Sequence, residues 1–134
     1  MVEQDNVRIV QDAYAAFGRG DIPAVVKGFA DQVEWHIPGA ANVPVAGTIH
    51  GRQKVTDWFK QLGEHQTPRQ FEPREFIAQG DKVAVLGHYQ WLIKRTGRTF
   101  ESDWVHVFTF RDRAVVRFQE FADTAAEAHA YGSA

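Results

Sequence analysis

The sequence predicts an α+β fold with a mostly antiparallel sheet. Segments of helical periodicity cluster in the first half of the chain, and four segments of strand character follow one another in the second half. The predicted order is α-α-β-α-β-β-β-β-α, and strands that succeed one another through short turns pair antiparallel. The chain has 134 residues, of which 44% are hydrophobic, so it is long enough to bury a core. We therefore expect a single domain over residues 1–134.

Three helices and one strand are predicted before the run of strands. Apolar residues at helical spacing form one face of the first helix: Val7, Val10, Tyr14 and Phe17. Gly18 ends this helix, and Asp21 caps a second one whose buried face reaches Phe29. Residues 33–38, VEWHIP, form a strand, and residues 39–51 form a loop. The third helix presents one apolar stripe: Val55, Trp58, Phe59 and Leu62.

Four predicted strands and a short helix complete the chain. The strands cover residues 69–78, 82–94, 99–111 and 115–122. The connections between them carry turn residues: Gly80-Asp81, Thr96-Gly97 and Asp112-Arg113. Asp123 caps the C-terminal helix, which we expect over residues 124–131.

The turn residues also predict how neighbouring strands align. A two-residue turn at 96–97 places Tyr89 opposite Trp104 and Gly87 opposite His106. Because glycine has no side chain, we expect open space beside His106.

Two alignments compete for the next hairpin, around residues 112–114. A two-residue loop would place His106 opposite Gln119. A three-residue loop gives different pairs: His106 with Glu120, Phe108 with Phe118, and Phe110 with Val116. We choose the second alignment because it keeps one sheet face apolar. Its cost is a left-handed conformation at Arg113 or Ala114, roughly 1–2 kcal/mol.

The chosen alignments gather aromatic residues around a polar pair on one sheet face. Its members are Tyr89, Trp91, Trp104, His106, Phe108, Phe118 and Glu120. A glutamate on such a face is costly unless it is paired, so Glu120 and His106 are either a buried ion pair or the acid and base of a pocket. The opposite face carries Val105, Val107 and Phe121. That pattern predicts a homodimer formed through the outer face.

Composition and motifs narrow the possible partners. The formal net charge is −2 with acids and bases interspersed, which argues against nucleic acid or an anionic membrane. Cysteine is absent, so disulfides and thiolate chemistry are excluded. The histidines lack metal-binding spacing and Gly18-x-Gly20 lacks the third glycine of a nucleotide loop, so we expect neither metal nor cofactor. The acidic N-terminus, and the lack of an apolar run of about 20 residues, predict a cytoplasmic protein.

Four stretches of the chain resemble the nuclear-transport-factor-2-like superfamily: YAAFGRGD, DQVEWHIPG, TIHGRQKVTDWF and HVFTFRDRAVVRFQEFADT. The resemblance spans roughly residues 7–128 and is strongest to SnoaL-like and ketosteroid-isomerase-like proteins. It implies a curved sheet that helices wrap into a cone with an apolar pocket, the cystatin-like form of the α+β class. It also implies a dimer through the outer sheet face.

Residue by residue, the resemblance separates the candidate reactions. The base aspartate of ketosteroid isomerases falls at Ile37, which cannot take a proton, and their protonated aspartate falls at His106. Their oxyanion-hole tyrosine falls at Ala13, with Tyr14 one position further round the helix. Steroid isomerisation by that mechanism is therefore not expected. SnoaL-type polyketide cyclases are more similar, since they use a carboxylate on the last strand beside a histidine, where Glu120 and His106 stand.

The resulting hypothesis is a cofactor-independent SnoaL-like enzyme that transfers a proton on a small apolar carbonyl compound, as an isomerase or cyclase does. Glu120 is the candidate base, and His106 either orients it or donates to the developing enolate oxygen. The alternative is a non-catalytic binding protein for a small hydrophobic ligand. The residues expected to bind the substrate are Tyr14, Trp35, Ile37, Phe59, Tyr89, Trp91, Trp104, Phe108 and Phe118. His36 has the opposite strand parity and is expected to point away from the pocket.

Overall fold

Residues 2–132 form four helices and one six-stranded sheet in this computed structural model. In chain order the elements are α1 (Val2–Gly18), α2 (Ile22–Val26), β1 (Phe29–Ile37), β2 (Gly47–His50), α3 (Arg52–His65), β3 (Gln66–Gln79), β4 (Lys82–Ile93), β5 (Thr99–Arg111), β6 (Ala114–Phe121) and α4 (Thr124–Tyr131). Met1, Ser133 and Ala134, which the single-domain prediction includes, lie outside the described residues.

The sheet is open and curved, with the strand order β2-β1-β6-β5-β4-β3. Neighbouring strands are antiparallel except β1 and β6, which run parallel with Trp35 beside Phe118. This arrangement confirms the predicted α+β fold with a mostly antiparallel sheet. α1 packs against β3 and β4, α3 against β1, and α4 against β5. Within the described part of the chain, no helix is long and apolar enough to cross a membrane.

The N-terminal half departs from prediction at two places. α2 ends at Val26, and Phe29, predicted on the buried face of that helix, opens β1 instead. Gly28 explains the early end, because glycine weakens a helix and its carbonyl oxygen accepts the Val115 backbone N–H of β6 at 2.9 Å. The predicted loop of residues 39–51 also contains a strand, β2, which pairs antiparallel with β1.

The hairpin between β4 and β5 is aligned two residues away from the prediction. The observed pairs are Val85 with His106, Gly87 with Trp104, and Tyr89 with Ser102. A two-residue turn would need a positive φ at Thr96, which a β-branched side chain disfavours, whereas the observed connection of residues 94–97 has its positive φ at Gly97, 75°. The predicted pairs were wrong for this reason. The predicted faces were right, because a shift of two residues preserves the alternation of side chains.

The hairpin between β5 and β6 combines the two alignments weighed from the sequence. Away from the turn, the observed pairs are the predicted ones: His106 with Glu120, and Phe108 with Phe118. Next to the turn, Phe110 pairs with Val115 instead of Val116, and the loop is only Asp112 and Arg113. Val116 is the extra residue of a β-bulge that joins the two alignments. Both loop residues are left-handed, with φ of 51° and 65°, so strain occurs at Asp112 as well as at Arg113.

Candidate functional site

An apolar cavity lies between the helices and one face of the sheet. It contains about 690 Å³ of space that protein atoms do not fill, its opening included. The strands contribute most of the predicted wall residues: Trp35, Ile37, Tyr89, Trp91, Phe108 and Phe118. Tyr14 from α1 and Phe59 from α3 complete the wall on the helical side. Cavities lined by aromatic side chains with a few polar groups are typical of small-molecule sites.

Two polar side chains face this cavity from neighbouring strands, and a third reaches them from α1. His106 on β5 lies opposite Glu120 on β6, and the Nε2 and Oε1 atoms are 3.0 Å apart. The other ring nitrogen of His106, Nδ1, is 2.6 Å from the hydroxyl oxygen of Tyr14. The His106 and Glu120 side chains are only 6% and 12% exposed. The three residues therefore form a hydrogen-bonded chain that is shielded from bulk water.

The direction of both hydrogen bonds follows from the chemistry of these groups when His106 is neutral. Burial, and secondarily the negative charge of Glu120, raises the pKa of Tyr14 well above its ordinary value of 10.0, so the hydroxyl keeps its proton. When His106 is neutral, the Tyr14 hydroxyl donates to Nδ1, and the Nε2–H donates to the Glu120 carboxylate. Both ring nitrogens are then occupied by protein groups. The chain reaches the Glu120 carboxylate. Burial, and secondarily contact with that carboxylate, raises the pKa of Tyr89 on β4.

Trp104 supports His106 from behind instead of lining the cavity, which corrects its predicted place on the wall. Its indole ring stacks on the imidazole with ring centroids 4.0 Å apart. Gly87 makes room for the indole, since a Cβ atom at this position would lie 2.3 Å from an indole carbon. The open space expected beside His106 is therefore filled by Trp104.

Two buried polar residues of the cavity, Glu127 and Gln66, were not predicted from the sequence. Glu127 on α4 is 8% exposed and lies on the cavity wall with Glu120. Burial, and secondarily the negative charge of Glu120, raises the pKa of Glu127 to about 8. The available signal was the helical spacing of Glu127, Ala130 and Tyr131, which are all buried. The Tyr131 hydroxyl donates to Gln66 Oε1 at 2.5 Å, so polar groups extend along this side of the cavity.

Three polar residues lie outside the cavity: His36, Asp103 and Asp123. The sequence predicted this orientation for His36 and predicted the helix cap at Asp123. His36 points away from the cavity, and its Nδ1 is 2.6 Å from the hydroxyl oxygen of Thr48 on β2. Asp103 is exposed and hydrogen-bonded to His88. Asp123 caps α4 by accepting a backbone N–H at 3.0 Å. Among residues 2–132, no group of three or more His, Cys, Asp or Glu side chains is arranged to hold a metal ion.

The fold agrees with what comparison with known proteins shows. A family model described as a SnoaL-like domain matches residues 10–118. The chain belongs to the SnoaL-like family. Similar solved structures also place this SnoaL-like protein in the nuclear-transport-factor-2-like superfamily, which confirms the resemblance. Comparison with curated proteins gave no match.

Solved structures resemble this SnoaL-like protein over nearly its whole length. A nuclear-transport-factor-2-like protein from Burkholderia xenovorans LB400 is 40% identical, with a TM-score of 0.88 over 97% of this chain and 98% of its own. TerC, co-crystallised with polyporic acid, is 30% identical, with a TM-score of 0.86 over 96% of this chain and 99% of its own. A Xanthomonas campestris protein of unknown function with a cystatin-like fold is 21% identical, with a TM-score of 0.81 over 96% of this chain and 98% of its own, which shows the shared fold alone.

In this SnoaL-like protein, apolar residues occupy the two positions where ketosteroid isomerases have their base aspartate and their oxyanion-hole tyrosine. Ile37 and Ala13 line the cavity as apolar residues. Tyr14, one residue beyond Ala13, directs its hydroxyl to His106. Among the residues that line the cavity, Tyr14 and His106 form the hydrogen-bonded chain that leads to the Glu120 carboxylate.

Proposed function

We propose that this SnoaL-like protein is a cofactor-independent acid/base catalyst that moves a proton on a small apolar carbonyl compound. One observation carries the proposal. Glu120 is held in a largely aromatic cavity by His106, which Tyr14 holds in turn. Burying a carboxylate among aromatic side chains costs free energy unless it is compensated, so folding alone is a poor reason for this arrangement.

Glu120 is the base in this proposal, and His106 positions it. The Glu120 carboxylate removes a proton from the carbon next to the carbonyl group, and the C–H electron pair becomes part of the enolate. In an isomerisation, Glu120, now a carboxylic acid, returns the proton to another carbon. In a cyclisation, the enolate carbon forms a bond to a second carbonyl carbon, whose oxygen then takes the proton from Glu120. Because both His106 nitrogens bind protein groups, the geometry supports orientation of Glu120 over direct donation to the enolate.

A non-catalytic binding protein for a small hydrophobic ligand is the second candidate. The aromatic wall supports it, since Trp35, Trp91 and Phe118 would hold a flat apolar molecule whether or not a proton moves. TerC, a relative that was co-crystallised with polyporic acid, supports small-molecule binding under either candidate. The two candidates differ in whether the bound ligand exchanges a proton through Glu120.

Deuterium exchange distinguishes the two candidates. The probe is 2-tetralone, a flat bicyclic ketone with an acidic C–H beside its carbonyl group, incubated with the protein in D2O and followed by NMR. We expect Glu120→Gln to lower the accelerated exchange rate by roughly 10²–10⁴-fold, the usual contribution of a general base, while 2-tetralone affinity changes by less than about threefold. Glu64→Gln, an exposed position on α3, is the matched control and should behave as the wild type does.

The role of His106 is tested in the same assay. His106→Ala should lower kcat more than it changes KM, because it releases the base without removing much of the aromatic wall. Equal exchange rates for the wild type and Glu120→Gln would contradict the catalytic proposal. Binding of 2-tetralone with no exchange above the buffer rate would favour the binding-protein candidate.

We also propose that two copies of the chain pair through the outer face of the sheet. Val105 on β5 lies directly opposite Phe121 on β6, and Phe121 is 50% exposed. Val107, further along β5, is half-buried on the same face. A second copy would remove these apolar side chains from water, which is the physical argument for a symmetric pair.

A further inference from the structure

α4 carries Glu127 into the cavity and is fixed at both ends. At its N-terminal end, the Asp123 side chain accepts a backbone N–H at 3.0 Å. At its C-terminal end, the Asn42, Thr96 and Arg98 side chains donate to backbone carbonyl groups at 2.7–3.0 Å. These anchors come from three separate segments and set which face of the helix points inward. Glu127 lies on that face.

Glu127 has no cationic partner in the cavity. Among the cavity residues within 2–132, none is lysine or arginine, and the single histidine, His106, is bound to Tyr14 and Glu120. No hydrogen bond within the described part of the chain offsets the two effects that raise the pKa of Glu127 to about 8, which are burial and then the charge of Glu120. Glu127 is therefore a carboxylic acid with a proton to donate at pH 7. Glu120 accepts the imidazole N–H, so the two carboxyl groups differ in chemistry.

We propose that Glu127 binds the ligand as a carboxylic acid and donates a hydrogen bond to its carbonyl oxygen, while the acidic C–H of the ligand faces Glu120. The inference rests on the proton-transfer function proposed above and adds the substrate class. That class is an uncharged, flat ketone whose acidic C–H adjoins the carbonyl group. An anionic ligand is disfavoured by two carboxyl groups in a cavity without lysine or arginine among its described residues. The same hydrogen bond strengthens as negative charge develops on the enolate oxygen.

In any pH experiment, the effect of Glu127 must be distinguished from the effects of the other titratable groups around it. The groups are Glu120 from β6, Tyr89 from β4, His106 from β5, Tyr131 from α4 itself, and Arg95 from the β4–β5 connection. Burial is the first cause that raises the pKa of Tyr89 and of Tyr131, so both stay neutral over the useful pH range. Glu120 and His106 are present in both the wild type and Glu127→Gln. The difference between these two proteins therefore isolates Glu127.

A matched pair of ligands tests the hydrogen bond without requiring turnover. The probes are 2-tetralone and tetralin, which share a carbon skeleton and differ in the carbonyl oxygen, titrated into the protein and followed by protein NMR. At pH 6.5 we expect the wild type to bind 2-tetralone about tenfold more tightly than tetralin, a preference that falls as the pH rises through about 8. Glu127→Gln, which still donates through its amide, should keep the preference within about threefold and lose its pH dependence. Glu127→Leu should lose the preference altogether.

Carbon-13 NMR of protein labelled at the glutamate carboxyl carbons reads the protonation of Glu127 directly, with Glu127→Gln giving the assignment. A protonated Glu127 at pH 7 supports the proposal, and an ionised one overturns it. An unchanged ligand preference in Glu127→Leu, or no preference in the wild type, also overturns it. Failure of the proton-transfer function is separate, because it appears as wild-type exchange in Glu120→Gln while ligand preference still depends on Glu127.

Discussion

The hydrogen bond between Tyr14 and His106 couples the position of the Tyr14 hydroxyl proton to the protonation of the His106 ring. The Tyr14 hydroxyl keeps its proton because burial raises its pKa, and a neutral imidazole offers it one acceptor nitrogen, 2.6 Å away. A proton added to His106 would reverse this bond. The Nδ1–H would then donate to the Tyr14 oxygen, and the hydroxyl proton of Tyr14 would be free for a ligand. The protonation of one ring therefore decides whether Tyr14 presents a donor to the cavity.

The three tyrosines of the chain should resist ionisation in the folded protein. Burial is the first cause that raises the pKa of Tyr14, Tyr89 and Tyr131 above the ordinary value of 10.0. Ultraviolet titration should show no tyrosinate in the native protein at about pH 10.5, and a midpoint of about 10 in concentrated urea. A raised pKa in the folded state means that the unfolded chain releases protons first. The free energy of unfolding should therefore fall as the pH rises above about 10.

A urea titration repeated at several alkaline pH values checks the second half of this prediction. Tyrosinate absorbance from the folded protein near pH 10 would show that at least one of the three hydroxyl groups is more solvated than the structure indicates.

The β5–β6 turn holds two residues in a conformation that favours glycine. Asp112 and Arg113 have φ of 51° and 65°, as a two-residue hairpin loop requires. The Arg113 side chain also lies 3.3 Å from an Asp5 carboxylate oxygen on α1, but it is 71% exposed. Exposed ion pairs contribute little to stability, so backbone strain is the larger effect at this position.

Arg113→Gly should raise the free energy of unfolding by about 0.5–1 kcal/mol, because relief of left-handed strain exceeds the added entropy of the unfolded chain. Gly80→Ala in the β3–β4 turn is the reciprocal control. Its φ is 58° and an added Cβ would meet no heavy atom within 4 Å, so its stability loss, roughly 1 kcal/mol, reports backbone strain alone. Urea unfolding measures both variants. A less stable Arg113→Gly would mean that the contact with Asp5 outweighs the strain.

The sequence predicted which face of the sheet a side chain lies on better than it predicted strand alignments or long-range contacts. His106 and Glu120 were assigned to one face correctly because alternation survives a two-residue error in the preceding hairpin. The strand β2 could not be predicted, since its residues are mostly exposed and its pairing with β1 is a long-range contact. The position of Glu127 on the cavity wall was hidden for a similar reason. Which face of α4 points inward depends on anchors such as Asn42, 85 positions before Glu127, that no local pattern encodes.

The sheet presents apolar side chains on both of its faces. The inner face carries the cavity, and the helices cover it. The outer face leaves Phe121 exposed beside the half-buried Val105. Because sheet strands hold these side chains in fixed positions, little conformational entropy is lost when a second copy covers them.

Light scattering should therefore give twice the 15.2 kDa mass of the chain at micromolar concentration. Phe121→Asp should shift the mass to that of a single chain, because it places a charge at the centre of the proposed contact. Val2→Asp is the control, since Val2 is 62% exposed but lies on α1, a helix that covers the inner face of the sheet. A wild-type particle of 15.2 kDa would remove the dimer from the proposal.

Val116 is an extra residue in β6, and the β-bulge that it forms keeps Glu120 opposite His106. Between the turn and the polar pair, β6 has one residue more than β5, and the bulge absorbs the difference. If regular pairing continued from the turn, His106 would face Gln119 and Glu120 would lie on the outer surface. A deletion of Val116 would leave a regular hairpin with His106 still opposite Glu120, whereas straightening the strand with the residue in place would turn the carboxylate outward. The extra residue of this hairpin is thus accommodated within the paired strands and not in the turn. It is Val116, which does not line the cavity.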